Sequence, residues 1–363
     1  MKKTPLHEAH CTLNARMGPF GGWDMPIQYD GILAEHQYTR TAASAFDICH
    51  MGEFDLRGPT AESDLERLLT QRVGSIGVGQ CRYGYLLRDD GGVLDDLTCY
   101  RRGADQFYLV VNAATLEQDR EWIRSRLSPS TIFTDESEAT GKIDVQGPAS
   151  RAAMEQALKT RLPDLKYFWS TDITLLGARC LLSRTGYTGE WGYELYIPAE
   201  KVSEFWHVLL TPGAIKPAGL GARDTLRLEV GYPLYGHELS TDRTPVAASR
   251  GSFIDMTKDF IGKAAAARDL EAGCPRYLVG LQLESKRAAR SHDKVTSAGR
   301  PVGEVTSGSV APSLGFAVAL AYLDAVLCNP GTRVEIEIHG KPLPATVVDL
   351  PFYKEGTARK KSP

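Results

Sequence analysis

Two carboxylates stand side by side in Gly91-Gly92-Val93-Leu94-Asp95-Asp96-Leu97-Thr98-Cys99-Tyr100. Gly91-Gly92 follows Asp89-Asp90 and reads as a tight hairpin turn, and the β-forming residues after it read as a strand. Side chains alternate along a strand, so Asp95 and Asp96 point to opposite faces. One of them faces the interior, unless the strand ends there with both acids in water; spacing alone leaves both arrangements open. A carboxylate turned inward requires a partner, a ligand or a raised pKa. Such a group can hold a cation or move a proton.

The elements around this pair read as a meander. Tyr83 to Arg88, Val93 to Tyr100 and Gln106 to Asn112 form three strands, and a helix follows to about Leu127 with Leu116, Ile123 and Leu127 on its buried face. Upstream, residues 16–30 are dense in Gly, Pro and aromatics and predict an irregular packed loop. Residues 31–45 predict a helix and Phe46 to Arg57 a strand. Pro59 opens another helix, with Thr60 as N-cap and Leu65, Leu68 and Leu69 as its stripe.

Downstream, Ser128 to Thr140 is polar and predicts a loop. Lys142 to Gln146 is a short strand, and a helix runs from Gly147-Pro148-Ala149 to Leu158. Ile173 to Leu182 is a strand pair or one long strand, Trp191 to Ile197 another strand, Val202 to Leu209 a helix, and Ala222 to Val230 a helix closed by Gly231. Glu271 to Pro275 reads as a linker. Beyond it five strands follow: Tyr277–Leu283, Pro301–Ser307, Phe316–Leu323, Arg333–Ile338 and Leu343–Val348. The pattern predicts an α+β first part, residues 1–270, and a small β-barrel or curved sandwich over 276–357.

Composition bounds the function. The 363 residues allow roughly one to three domains, and 42% hydrophobic with 24% charged residues is ordinary for a globular chain. Net charge is −3, so no basic field supports bulk nucleic-acid binding. No apolar run approaches the about 18 residues of a membrane span, and the start has no signal-peptide pattern. Seven cysteines, widely spaced and without Cys-x-x-Cys, predict free thiols in a reducing cytoplasm.

Common catalytic signatures are absent. Gly219-Leu220-Gly221 lacks the third glycine of a dinucleotide fingerprint, which argues against a nicotinamide cofactor. There is no Walker A sequence and no Gly-x-Ser-x-Gly elbow. His7-x-x-His10 with Cys11 does not make a metal site.

A longer set of blocks is more specific. Ser183-Arg184-Thr185-Gly186-Tyr187-Thr188-Gly189-Glu190-Trp191-Gly192-Tyr193-Glu194-Leu195 resembles the signature of the aminomethyltransferase family, the T-protein of the glycine cleavage system. In the same order stand Phe20 to Pro26, Phe46 to Glu53, the Gly91–Tyr100 stretch, Val110 to Ala113, Gln146 to Pro148, Pro217 to Asp224, Leu234 to Gly236, Asp259 to Lys263 and Gly303 to Gly308. The resemblance runs from Thr4 to about Tyr353. It implies a three-lobed body around a folate pocket, with residues 1–270 as two interleaved lobes and a small β-barrel as the last.

The reaction it implies moves a methylene group from an aminomethyl carried on lipoylated H-protein to tetrahydrofolate. The products are 5,10-methylenetetrahydrofolate, ammonia and dihydrolipoyl H-protein. No metal or nicotinamide is needed, and a cytoplasmic monomer without membrane or nucleic-acid partners is expected. By resemblance Asp96 is the catalytic carboxylate, and Asp95 makes local structural contacts. Glu194 accepts the N–H and amino group of the pterin edge, which suits a bidentate carboxylate, while Glu190 braces the turn.

The resemblance also implies that Arg223 contacts folate; as a cation at a helix start it should answer another charge. By the same resemblance Tyr83, Tyr100, Asn112, Tyr187 and Tyr235 are expected to line the cavity, with Met51 and Tyr353 as further candidates. Trp23 and His50 match family blocks but read first as packing residues.

The chain departs from the family's pattern at Cys49, where Ser is common, at His237, where Gln or Asn is usual, and over residues 246–256, which lack a tryptophan. These leave the folate site intact and put the H-protein docking surface in question. Two other readings stay open. One is a folate-dependent demethylase acting on a small N-methylated donor. The other is a folate-binding relative that assists iron–sulfur protein maintenance, whose Lys-Gly-Cys signature this chain lacks.

Overall fold

The computed structural model describes residues 1–361. The chain threads back and forth between two sheets. Strand Ser44–Asp47 belongs to a six-stranded sheet, ordered Ser170–Leu175, Ala178–Ser183, Gly192–Pro198, Thr140–Gln146, Ser44–Asp47 and Lys216–Pro217. The next strand, Gly52–Arg57, belongs to a five-stranded sheet, ordered Cys81–Leu87, Val93–Gly103, Gln106–Val111, Gly52–Arg57 and Ile132–Asp135. Six further strands between Arg276 and Val348 close into a barrel.

Each unit has its own apolar core. Leu65 and Leu68 of helix Ala61–Leu68 and Ile123 of helix Leu116–Arg124 cover the five-stranded sheet. Met154 of helix Ser150–Leu158 and Phe205 and Leu209 of helix Val202–Leu210 cover the six-stranded one. Leu281, Val305, Ala319, Ala321 and Ile336 fill the barrel. Each such buried Leu, Ile or Phe stabilises the fold by about 1.5–3 kcal/mol. The uncovered faces of the two sheets meet through Cys81, Tyr100, Tyr108, Leu181 and Tyr196. Tyrosines suit this seam, because Tyr100 and Tyr196 bond hydroxyl to hydroxyl at 3.0 Å while their rings pack edge to face.

The meander and most helices stand where the sequence places them, with five differences. Phe46 to Arg57 is not one strand: the chain leaves the six-stranded sheet after Asp47 and enters the five-stranded one at Gly52. Residues 16–30 are not an irregular loop: Arg16–Phe20 and Trp23–Gln28 form a hairpin that turns on Gly21 (φ 55°) and Gly22 (φ 84°). The glycines make the turn rather than break the strands, and Pro19 lies on the edge strand, where a missing N–H is tolerated. Within Ser128 to Thr140, Ile132–Asp135 is an edge strand; exposure of Ile132 removes the alternation that would mark it. Glu271 and Ala272 complete helix Lys263–Ala272 rather than a linker. The barrel has a sixth strand, Lys294–Ser297, too short and polar for the pattern to reveal.

Candidate active site

Strand Val93–Gly103 separates its two acids as alternation requires. Asp95 turns into the core of the five-stranded sheet and is fully buried. Asp96 turns the other way and is half-buried, on the face toward the second sheet. Asn112, at the end of the neighbouring strand, reaches both. Its Nδ2 donates to Asp95 Oδ1 at 2.8 Å and Asp96 Oδ1 at 2.9 Å, and its backbone N–H donates to Asp95 Oδ2 at 2.9 Å. The Tyr83 hydroxyl donates to Asp96 Oδ2 at 2.9 Å. Burial and the neighbouring Asp95 push the Asp96 carboxyl up to about 7, against the pull of Tyr83 and Asn112. Behind Asp95 lies Asp119, from helix Leu116–Arg124. Its own burial and Asp95 push it up to about 11, so it is a neutral acid at ordinary pH.

The six-stranded sheet supplies the facing wall. On strand Thr140–Gln146, Lys142, Asp144 and Gln146 share one face, and Asp144 pairs in register with Glu194 of Gly192–Pro198. Glu194 accepts from the Thr185 hydroxyl and lies 3.5 Å from Lys142 Nζ. Asp144 accepts from Gln146 at 2.6 Å and from Arg223 Nη1 at 2.7 Å. Burial raises Asp144 to about 7 even with Arg223 on it. Arg223 therefore does answer a charge, and that charge is Asp144. The Arg223 guanidinium also lies over the Tyr187 ring at 4.9 Å. The Tyr187 hydroxyl donates to the Pro233 carbonyl, and burial raises its pKa.

The sequence comparisons cover the whole of this arrangement. Residues 6–258 match the GCVT N-terminal domain, and residues 276–354 match the glycine cleavage T-protein C-terminal barrel domain. An aminomethyltransferase of Moorella thermoacetica is 42% identical over 359 residues, and one of Bacillus cereus (strain AH187) is 39% identical over 360; each match covers 98% of both chains. The chain belongs to the glycine cleavage T-protein family. The crystal structure of the glycine cleavage system aminomethyltransferase T from Bartonella henselae superposes with a TM-score of 0.93 at 31% identity, over 98% of this chain and 99% of that one. The chain is thus an aminomethyltransferase, and these relatives do not favour the demethylase alternative.

Among the T-protein residues singled out in the sequence, Asp96, Asn112 and Tyr83 form one hydrogen-bonded group, and Glu194 and Arg223 join through the Asp144 ladder pair. Tyr235 sits beside the acids: its hydroxyl donates to the Val93 carbonyl at 3.3 Å, and burial with Asp95 and Asp119 nearby raises it to about 12. Met51 places Sδ 3.6 Å from Lys142 Nζ. Tyr100 is fully buried in the seam between the sheets, its hydroxyl 3.1 Å from Ser183, so it supports the wall rather than lining open space.

Tyr353 stacks on Arg40 at 4.2 Å, in a network where Arg40 bonds Glu190 at 2.8 Å and Glu229 at 2.9 Å. Glu190 also accepts from Thr357, so it braces more than its own turn. His50 is buried, its ring edge-on to Phe20 at 5.4 Å, and burial lowers it to about 4, as suits a packing role.

Tyr83 also lines a cleft of about 820 Å³ that continues past Cys81, Phe168, Phe253 and Met256. Among the described residues, no cluster of three or more His, Cys, Asp or Glu side chains is arranged to hold a metal ion, and no helix is long and apolar enough to cross a membrane. Sequence reasoning missed Lys142, Asp144 and Asp119. Lys142 and Asp144 alternate with Ile143 and Val145, which reads as an ordinary solvent face; only the fold turns that face inward.

Proposed function

We propose that this T-protein transfers the methylene carbon of an aminomethyl group from the lipoyl arm of H-protein to tetrahydrofolate. The methylene carbon gains bonds to N5 and N10 of the folate and loses its bonds to the amino nitrogen and to sulfur. The two folate N–H protons end on the departing ammonia and on the dihydrolipoyl thiol. The observation that carries the reading is Asp96, a half-buried carboxylate held by Asn112 and Tyr83 with a pKa of about 7. When ionised it stabilises positive charge developing at the folate nitrogens and accepts a proton from them. Glu194 offers two carboxylate oxygens to the pterin N–H and 2-amino group. Arg223 and the tyrosines flank the ring. The arrangement fits a co-substrate with a polar edge and flat aromatic body, and no step requires a metal. We place the enzyme in the cytoplasm as a monomer.

The test combines purified protein, tetrahydrofolate and aminomethyl-loaded H-protein and follows methylenetetrahydrofolate and ammonia. Both products appearing together supports the reading. Folate binding without either product moves the donor to a small amine.

A further inference from the structure

Lys142 is 1% exposed, yet its amine has no short oxygen acceptor. The neighbours of Nζ are Glu194 Oε1 at 3.5 Å, Met51 Sδ at 3.6 Å and the Tyr196 ring at 4.7 Å. A lysine amine carries up to three donors, and leaving them unmet in the interior is costly. A structural role would place a carbonyl or carboxylate at about 2.8 Å. Here the partners of the amine are weak ones, a thioether, an aromatic ring and a carboxylate at 3.5 Å that is itself 12% exposed, so a carbonyl oxygen brought by a ligand is a better acceptor than any of them. The other oxygen of Glu194, Oε2, already receives the Thr185 hydroxyl, so the Lys142 side of Glu194 is the under-supplied one.

The ring edge of a pterin presents three groups in a row: the 4-oxo oxygen, N3–H and the 2-amino group. Glu194 can serve the last two and cannot serve the first, because both are acceptors. We propose that Lys142 completes this recognition by donating to the 4-oxo oxygen, making it a specificity-determining residue for 4-oxo pterins. The proposal rests on the folate reading above. It orients the ring with N3–H on Glu194 Oε1 and the 2-amino group on Oε2. Asp144 cannot substitute for Lys142, since it is an acceptor occupied by Arg223 and Gln146. Glu53, the other buried acid near Lys142, is pushed up to about 8 and so competes weakly for the amine at neutral pH.

The experiment measures equilibrium binding of tetrahydrofolate and of its 4-amino-4-deoxy analogue to the full chain, as wild type, Lys142→Met and Lys142→Gln. The analogue replaces an acceptor with a donor and also removes the proton on N3, so the wild-type preference alone does not isolate Lys142. The change in preference between wild type and variant does. Lys142→Met is expected to weaken tetrahydrofolate about tenfold while leaving the analogue unchanged or tighter. Lys142→Gln, which keeps an amide donor, should fall between and serves alone if the methionine variant does not fold. Equal weakening of both ligands, or no change in either, overturns the assignment. Wild type that binds no tetrahydrofolate rejects the folate reading itself, a result separable from any effect of the variants.

Discussion

One side chain ties the two acids of the meander together: Asn112 Nδ2 lies 2.8 Å from Asp95 Oδ1 and 2.9 Å from Asp96 Oδ1, although these residues face opposite sides of the sheet. Asn112 can reach both because it stands where its strand ends. The bond lets the buried acid fix the position of Asp96.

Asp96→Asn should abolish most turnover, at least a hundredfold by the usual weight of a proton-transferring group, while folate binding changes little. In the wild type, activity should fall as pH drops through about 7, because the carboxylate protonates there. Tyr83→Phe removes a donor from the ionised form and should move that acid limb upward. A pH profile with no limb near 7, or a binding loss matching the turnover loss in Asp96→Asn, would reduce Asp96 to a positioning role.

Asp119 should make the fold less stable as pH rises. Its folded pKa of about 11 lies far above the value of about 3.9 for an unfolded Asp, so over that span only the folded state holds the proton. The stability this proton contributes is then complete below the unfolded value and declines as pH rises above it. Asp119→Asn keeps the shape without the proton and should flatten this decline. Urea midpoints at pH 6 and pH 8 for both proteins measure it; parallel trends would mean Asp119 is ionised.

Arg40 is 4% exposed at its side chain and bonds two buried carboxylates, Glu190 and Glu229, while His36 adds a contact to Glu229 at 3.2 Å. Arg40→Met should destabilise by about 3–5 kcal/mol, since it leaves both acids without their cation. Denaturant unfolding reads this directly, and a loss under 1 kcal/mol would show that the acids find other partners.

The split of Asp95 from Asp96 was legible because alternation in a strand admits no other arrangement once the strand continues past them. The barrel was legible from Gly- and Pro-punctuated strands. The Arg16–Gln28 hairpin was not, because glycine density signals a turn without saying that strands flank it. Nothing in the spacing marks Asp119 in its helix, or Lys142 and Asp144 in their strand, as buried. Which side of an element meets solvent is decided by what packs against it, and that partner lies far away in the chain: Arg223, for Asp144, is a contact across 79 residues.

Residues 353–360 cross back from the barrel to the first body. Tyr353 lies on Arg40, Thr357 bonds Glu190 and the Trp191 backbone, and Ala358 bonds the Gly189 carbonyl and receives Arg184. All of these flank the strand that carries Glu194. The segment that braces the Glu194 wall is therefore made after the barrel during synthesis, so a nascent chain can assemble all three cores and still lack these last contacts.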